Sequence, residues 1–398
     1  MITADCSSKL CTQICEYRRR YGHNSRRISW HTLLFLLRNW SGDKHKYKRC
    51  GDTVNIGFML CGGIGDVVMS GAYLDKFLQR VRQYNHTVYV FTQQPDAVIK
   101  TLFAKYPVIV RGADDDVIRR TPLDLLIKIN VQFPEVLFSR DKYLANVAPW
   151  LVQYSDAVRR FCDLYPDSIE RENVFSRYGV LFVHNRTRVD GIDILNIVGL
   201  THTDVMQIDV HPEWMAVAKK FGLARGKFIT FSNETGNMSS DTSVRLWPAD
   251  YYEKLFQKIH SEFPDYKIVQ LGTRGPDDIP GVDVNLVGKT SFGEMLALLK
   301  MSRLFIGLES GMVHLRHAIS GGVSVVLFGP TPVDLYGYPE NINIRSNACA
   351  CRYCDGMVGR HWETFCPKTE SPVAVCMRAI TVKNVFAAVK NVLRKRDK

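Results

Sequence analysis

The chain has 398 residues, 46% of them hydrophobic and 23% charged, which is enough for sizeable cores in two or three domains and unlike a disordered or fibrous protein. A formal net charge of +12 favours anionic partners, whether nucleic acid, phospholipid or a phosphorylated substrate, without choosing among them. No window of about 18 uncharged apolar residues reads as a spanning helix, and the start lacks the basic-then-apolar order of a secretory signal. The expected setting is the cytoplasm, with the eleven cysteines reduced or metal-bound rather than cross-linked.

Residues 1–50 stand apart as a basic N-terminal extension, in which eleven Lys and Arg against three acidic side chains carry eight of the twelve net charges. Within it, Ile28 to Trp40 is a short apolar segment with Trp30 and Trp40 towards its ends and Arg nearby. That composition suits a helix lying in a membrane interface, and equally a helix packed on a neighbouring domain with a solvated basic face.

From Val54 the text alternates strand-like and helix-like pieces, the pattern of a parallel, doubly wound sheet. Strands are expected at Val54–Leu60, Thr87–Phe91, Val108–Arg111, Leu125–Ile129 and Val180–Val183, and helices at Gly71–Tyr84 and Pro95–Tyr106. Asn130–Leu144 reads as a loop able to reach a substrate. The first strand runs into Cys61-Gly62-Gly63-Ile64-Gly65-Asp66, where glycines allow a sharp turn, the next helix offers N–H groups to an anion, and Asp66 faces the crevice beyond the strand ends. The turn departs from the dinucleotide fingerprint G-x-G-x-x-G, and a plain turn with Asp66 as a helix cap is the alternative.

A boundary is expected near Gly222, after a helix-like stretch at His211–Lys220, giving one domain over 51–222 and a second over 223–398. The second half repeats the architecture, with strands at Phe228–Phe231, Lys267–Leu271, Val284–Leu286, Leu304–Gly307 and Val323–Phe328, and helices at Ala249–Phe263 and Ser291–Met301. Ser239-Ser240-Asp241-Thr242-Ser243-Val244-Arg245 follows its first strand, and hydroxyls with a guanidinium suit a diphosphate; a surface Arg over Trp247 is the alternative. Glu309-Ser310-Gly311 opens a helix at a later strand end, with Glu309 placed to accept from sugar hydroxyls and His314 one turn on. The segment 349–376 is rich in cysteine, and Cys351, Cys354, Cys366 and Cys376 suit a structural zinc or iron site, or remain reduced thiols.

The turn Gly62–Asp66, the segments Arg245-Leu246-Trp247-Pro248 and Leu286–Ser291, Gly307–Leu315, Leu327–Thr331 and Cys376–Thr381 occur in this order. Over about residues 54–392 the set resembles glycosyltransferase family 9, the bacterial heptosyltransferases. The resemblance implies a GT-B fold, in which two Rossmann-like doubly wound domains face a central cleft and the C-terminal helix crosses back to the first. It implies inverting transfer from a nucleotide-sugar, typically ADP-heptose, to a hydroxyl of a lipid-linked lipopolysaccharide core, with no metal or other cofactor in catalysis. Asp66 then falls on the family's base, Arg245 on the residue holding the donor diphosphate, and Glu309, Ser310, Gly311 and His314 on the donor loop; Gly62, Gly63, Gly65, Ser240 and Asp241 complete the expected donor contacts. The cysteine pattern resembles that of members which heptosylate autotransporter proteins and bind iron. Arg245 and Glu309 stand where the family more often has Lys and Asp. A protein acceptor, or a GT-B protein that binds a nucleotide or glycan without turnover, are the other readings. Peripheral contact with the inner face of an anionic membrane is expected, and nucleic acid is not, since no recognisable motif accompanies the basic arm.

Overall fold

The computed structural model of the protein describes residues 53–82, 84–130, 133–164, 193, 196, 198–201, 204–234, 244–273, 279–348, 366, 368–370, 372 and 374–395. The expectations for residues 1–50, the strand at Val180–Val183, and Ser240, Asp241, Cys351 and Cys354 lie outside them.

The first half runs β1 (Val54–Cys61), α1 (Ile64–Val81), β2 (His86–Thr92), α2 (Asp96–Leu102), β3 (Ile109–Gly112), α3 (Asp115–Arg120), β4 (Leu125–Asn130), β5 (Phe133–Ser139), α4 (Asp141–Val147) and α5 (Pro149–Leu164). Its sheet has the order β3-β2-β1-β4-β5, parallel except for β5. β1 is buried at every position but Asn55, as expected of a central strand covered on both faces. Phe58 on β1 meets Phe77 of α1 edge to face, with ring centroids 4.8 Å apart, so the strand and its following helix share one core.

The expected loop at Asn130–Leu144 is instead the edge strand β5 followed by α4. An edge position explains how Pro134 fits a strand, because its missing N–H falls where no further strand pairs. A polar Lys128 and Glu135 facing each other across β4 and β5 hid the pair from pattern reading; their side chains are buried, with the ammonium 3.7 Å from the carboxylate. α1 starts directly after the glycine turn, as the strand–turn–helix reading of that stretch has it, and continues through Gly71–Val81 of the helix expected at Gly71–Tyr84.

The chain then crosses over through a 3₁₀ turn (Pro212–Ala216) and α6 (Val217–Lys220). This crossing is fastened on both sides. The Tyr106 hydroxyl donates to the Gln207 carbonyl at 3.1 Å and accepts from its N–H at 3.0 Å, while the Ile208 N–H reaches the carbonyl of Ala318 in the second half at 3.1 Å. Met206 and Ile208 join a hydrophobic core that continues from Phe58, Tyr73 and Phe77 of the first half to Leu296, Val313 and Val326 of the second.

The second half runs β6 (Phe228–Ser232), α7 (Ala249–Glu262), β7 (Lys267–Gln270), β8 (Val284–Asn285), α8 (Phe292–Met301), β9 (Leu304–Leu308), α9 (Gly311–Ala318), β10 (Ser324–Phe328), α10 (Val333–Tyr336), β11 (Ile342–Arg345), α11 (Val375–Arg378) and α12 (Val382–Arg394). All its strands are parallel, in the order β11-β10-β9-β6-β7-β8. Ser291 caps α8 and Glu294 returns the bond to the Ser291 N–H at 2.8 Å, a reciprocal cap legible in Ser-x-x-Glu.

The C-terminal helix does not cross back to the first domain. α12 packs on α7 and on β9, β10 and β11 of its own half; Lys390 and Arg394 pair with Glu262, and buried Trp247 donates from Nε1 to the Ile380 carbonyl at 2.9 Å just ahead of the helix. Its apolar face, Val385, Val389, Val392 and Leu393, is spent on the second core. Among the described residues no helix is long and apolar enough to cross a membrane.

Candidate functional site

Both sheets place their switch points where the candidate residues are. In the first, order reverses between β1 and β4, and β1 leads into Gly62–Asp66; in the second it reverses between β6 and β9, which lead to Arg245 and to Glu309–His314. Ligands of open α/β sheets bind beyond the carboxyl ends of the strands at such points.

Gly62 turns the chain with φ of +103°, a value side chains rarely adopt, and Gly63 begins α1. Asp66 is the third residue of the helix rather than its cap: its carboxylate accepts the Gly63 N–H at 2.8 Å and is half-buried. The bond pins the carboxylate to the turn, and the positive end of the helix favours its charge.

In the second half Glu309 directly follows β9, Ser310 holds the N-cap position of α9 in extended conformation, and Gly311 is the first helical residue. Glu309 is buried and multiply held. Arg245 approaches one carboxylate oxygen at 3.7 Å, His314 Nε2 approaches the other at 3.4 Å, and the Thr331 hydroxyl bonds it as well. Burial pushes the carboxyl up, but the bond from His314, the charge of Arg245 and the Thr331 hydroxyl outweigh it and hold it below the ordinary carboxylate value. Arg245 is thus turned to Glu309 and is not a surface residue over Trp247. The other nitrogen of His314 lies 2.8 Å from the Tyr338 hydroxyl, a residue the sequence reading did not single out.

The two turns meet. A Cβ built on Gly65 would stand 2.7 Å from His314 Cδ2 and 3.2 Å from Gly311 Cα, and one on Gly311 would stand 2.5 Å from a methyl of Ile64. Only hydrogens at positions 65 and 311 allow the helix beginnings to approach so closely. Asp66 and the group Arg245, Glu309, Ser310, Gly311, His314 are therefore brought to one junction, the positive ends of α1 and α9 both opening there.

Cys366 and Cys376 are buried and form no disulfide. Burial raises the Cys366 thiol, yet N–H groups of Val375, Lys368 and Thr369 with the Thr369 hydroxyl outweigh it and lower it. Cys376 sits beneath the loop that carries Thr331, its sulfur 3.5 Å from where a Cβ on Gly329 would be. Among the described residues no group of three or more His, Cys, Asp or Glu gathers as a metal site.

Residues 198–361 match the model of glycosyltransferase family 9 (heptosyltransferase). The fold is that of solved family structures. ADP-heptose LPS heptosyltransferase II of E. coli matches with a TM-score of 0.52 at 15% identity, over 85% of this chain and 98% of that one. A family 9 glycosyltransferase of Veillonella parvula DSM 2008 matches with a TM-score of 0.51 at 16% identity, over 85% and 97%. TibC of enterotoxigenic E. coli H10407, an iron-containing dodecameric glycosyltransferase also solved with ADP-D-β-D-heptose, matches with a TM-score of 0.56 at 16% identity, over 86% and 79%. No curated protein matches in sequence. The architecture is GT-B: two Rossmann-like sheets, as in these solved structures.

Proposed function

We propose that the protein is an inverting glycosyltransferase that moves a heptose or related sugar from a nucleotide-sugar, ADP-heptose in the first instance, to an acceptor hydroxyl. The observation that carries this reading is the junction of Gly65 with Gly311, which brings the turn bearing the half-buried Asp66 carboxylate up to the helix start that bears buried Glu309 and His314, with half-buried Arg245 turned to Glu309. Asp66 takes the proton as the acceptor hydroxyl attacks the anomeric carbon. Arg245 and the beginning of α9 stabilise the departing diphosphate, fixed charge and N–H groups doing what a metal ion does elsewhere. Glu309, ionised and aimed by its neighbours, accepts hydrogen bonds from donor hydroxyls. A lipopolysaccharide core acceptor is the first choice, with the basic segment 1–50 holding the enzyme at the inner, anionic face of a membrane.

The experiment is nucleoside diphosphate release from ADP-, UDP- and GDP-sugars with a lipopolysaccharide core acceptor. ADP-heptose is expected to be turned over in preference to the others. Release only from a UDP- or GDP-sugar would contradict the donor assignment.

A structural metal, zinc or iron, is part of the same reading, held by Cys351, Cys354, Cys366 and Cys376. Its support is the donor set at Cys366, whose sulfur receives the N–H groups of Val375, Lys368 and Thr369 as a ligating thiolate does. The purified chain should hold about one metal per molecule. Cys366→Ser should lose it and melt several degrees lower, whereas elemental analysis finding no metal in the wild type would remove this part of the proposal.

A further inference from the structure

One of the groups that hold Glu309, the Thr331 hydroxyl, comes from a loop with little freedom of its own. Thr331 is 2% exposed and lies in Gly329-Pro330-Thr331-Pro332, which leaves the end of β10. The proline rings fix φ at 330 and 332, and each proline holds the residue before it to extended backbone. The loop therefore moves as a unit, and a shift at Gly329 is carried to the Thr331 hydroxyl.

That loop rests on α11. A Cβ on Gly329 would stand 2.8 Å from Met377 Cγ and 3.5 Å from Cys376 Sγ, so the bare glycine backbone sits directly on the Met377 side chain. Gly329 lies outside the left-handed region, so its missing Cβ answers to this contact and not to a turn. Met377 is 1% exposed, and its Cγ is too near the helix backbone to swing aside. The support is itself fixed. Arg378 and Ala379 N–H groups return to the Ala374 and Val375 carbonyls at 3.1 and 3.0 Å, the Ile380 carbonyl accepts from Trp247 Nε1 at 2.9 Å, and Thr381 caps α12, whose apolar face fills the second core.

We infer that Met377 is a positioning residue for donor binding: it carries the Gly329–Pro332 loop at the height where the Thr331 hydroxyl reaches the Glu309 carboxylate. This rests on the donor-binding role proposed for Glu309. A methyl added at position 329 lifts the loop off α11 and draws the hydroxyl out of line, and trimming Met377 makes room for that methyl. Glu309 then loses a bond that aims it at donor hydroxyls, while Asp66 and Arg245, on other segments, keep their places.

The test is a size swap in the full chain. Gly329→Ala should raise the KM for ADP-heptose about tenfold with kcat within about twofold, the loss of a contact made equally in ground and transition states. Met377→Ala alone, which leaves the loop a void to sink into, should raise KM about fivefold and decides the matter should Gly329→Ala not fold. The double variant should return KM to within about threefold of the wild type, a rescue that a general loss of stability does not give. In a Thr331→Val background, Gly329→Ala should change KM by less than about twofold, because the group it displaces is already gone. An unchanged KM in either single variant, a double variant no better than Gly329→Ala, or full additivity with Thr331→Val overturns the inference. Absence of any sugar-nucleotide turnover by the wild type defeats the functional reading instead. A ¹³C titration of the Glu309 carboxyl, assigned by the signal missing from Glu309→Gln, then decides the part played by Met377. The carboxyl, held below its ordinary value in the wild type, should titrate higher in Gly329→Ala and fall back in the double variant; equal titration in all three overturns the inference.

Discussion

Asp66→Asn lowers kcat for sugar transfer by about a thousandfold, the middle of the range for loss of a positioned general base, while the donor's Kd stays within about twofold. The variant suits the question because the amide oxygen of Asn can still accept the Gly63 N–H now held at 2.8 Å, so the turn and the start of α1 keep their geometry. Only the charge and the basicity go. Steady-state diphosphate release together with calorimetric titration of the donor separates the two effects. Turnover within a few-fold of the wild type would show that Asp66 is a helix-start residue and nothing more, whereas a parallel loss of donor affinity would move it from base to binding group.

Gly65→Ala lowers kcat/KM by about a hundredfold with little loss of thermal stability, since displacing reacting groups by about 1 Å is enough for such a fall. The added methyl meets His314 at 2.7 Å and the Gly311 backbone at 3.2 Å, and backbone cannot swing aside as a long side chain can. The beginnings of α1 and α9 must part, taking Asp66 away from the Arg245–Glu309–His314 group. Helix propensity works in the opposite direction, Ala being favoured over Gly by about 1 kcal/mol inside a helix, so melting temperature should change little. Gly112→Ala, where nothing lies within 4 Å, is the control for a glycine replacement on β3 without a contact across the junction. Equal activity of the two variants would mean that the close approach of the helices is not needed for transfer.

The central strands were legible because their burial leaves one message in the text: β1, β6, β9 and β10 are short apolar runs ending in glycine or polar turns, and each forms within a residue or two of where it is read. β5 was illegible because its strongest residues for pattern reading, Pro134 and Glu135, both speak against a buried strand. The first is tolerated at the sheet edge and the second is paired with Lys128, both facts of tertiary structure. The end of the chain was misplaced for a similar reason. The amphipathic pattern of α12 shows that one face is buried, and does not say against which half; Trp247, the Ile380 carbonyl and Glu262 decide that.

At the site, glycine and carboxylate at the strand ends marked Asp66 and Glu309, and the fold brings both to the junction. The direct pairing of Arg245 with Glu309 was not legible, because 64 positions separate them and only the order of β6 beside β9 makes them neighbours. Tyr338 carries no signal at all in the sequence, lying in an irregular stretch past α10, and its 2.8 Å contact with His314 is visible only in the fold.

The central claim is that the two sheets meet to make one transferase site. It is tested most directly by diphosphate release from ADP-heptose with a lipopolysaccharide core acceptor, wild type beside Asp66→Asn. Release by the wild type that depends on the acceptor and is lost in the variant, with donor-induced thermal stabilisation kept in both, is the predicted result. Donor-induced stabilisation in both proteins with no release in either, across lipid-linked and protein acceptors alike, would contradict it and leave a GT-B protein that binds its nucleotide without transferring the sugar.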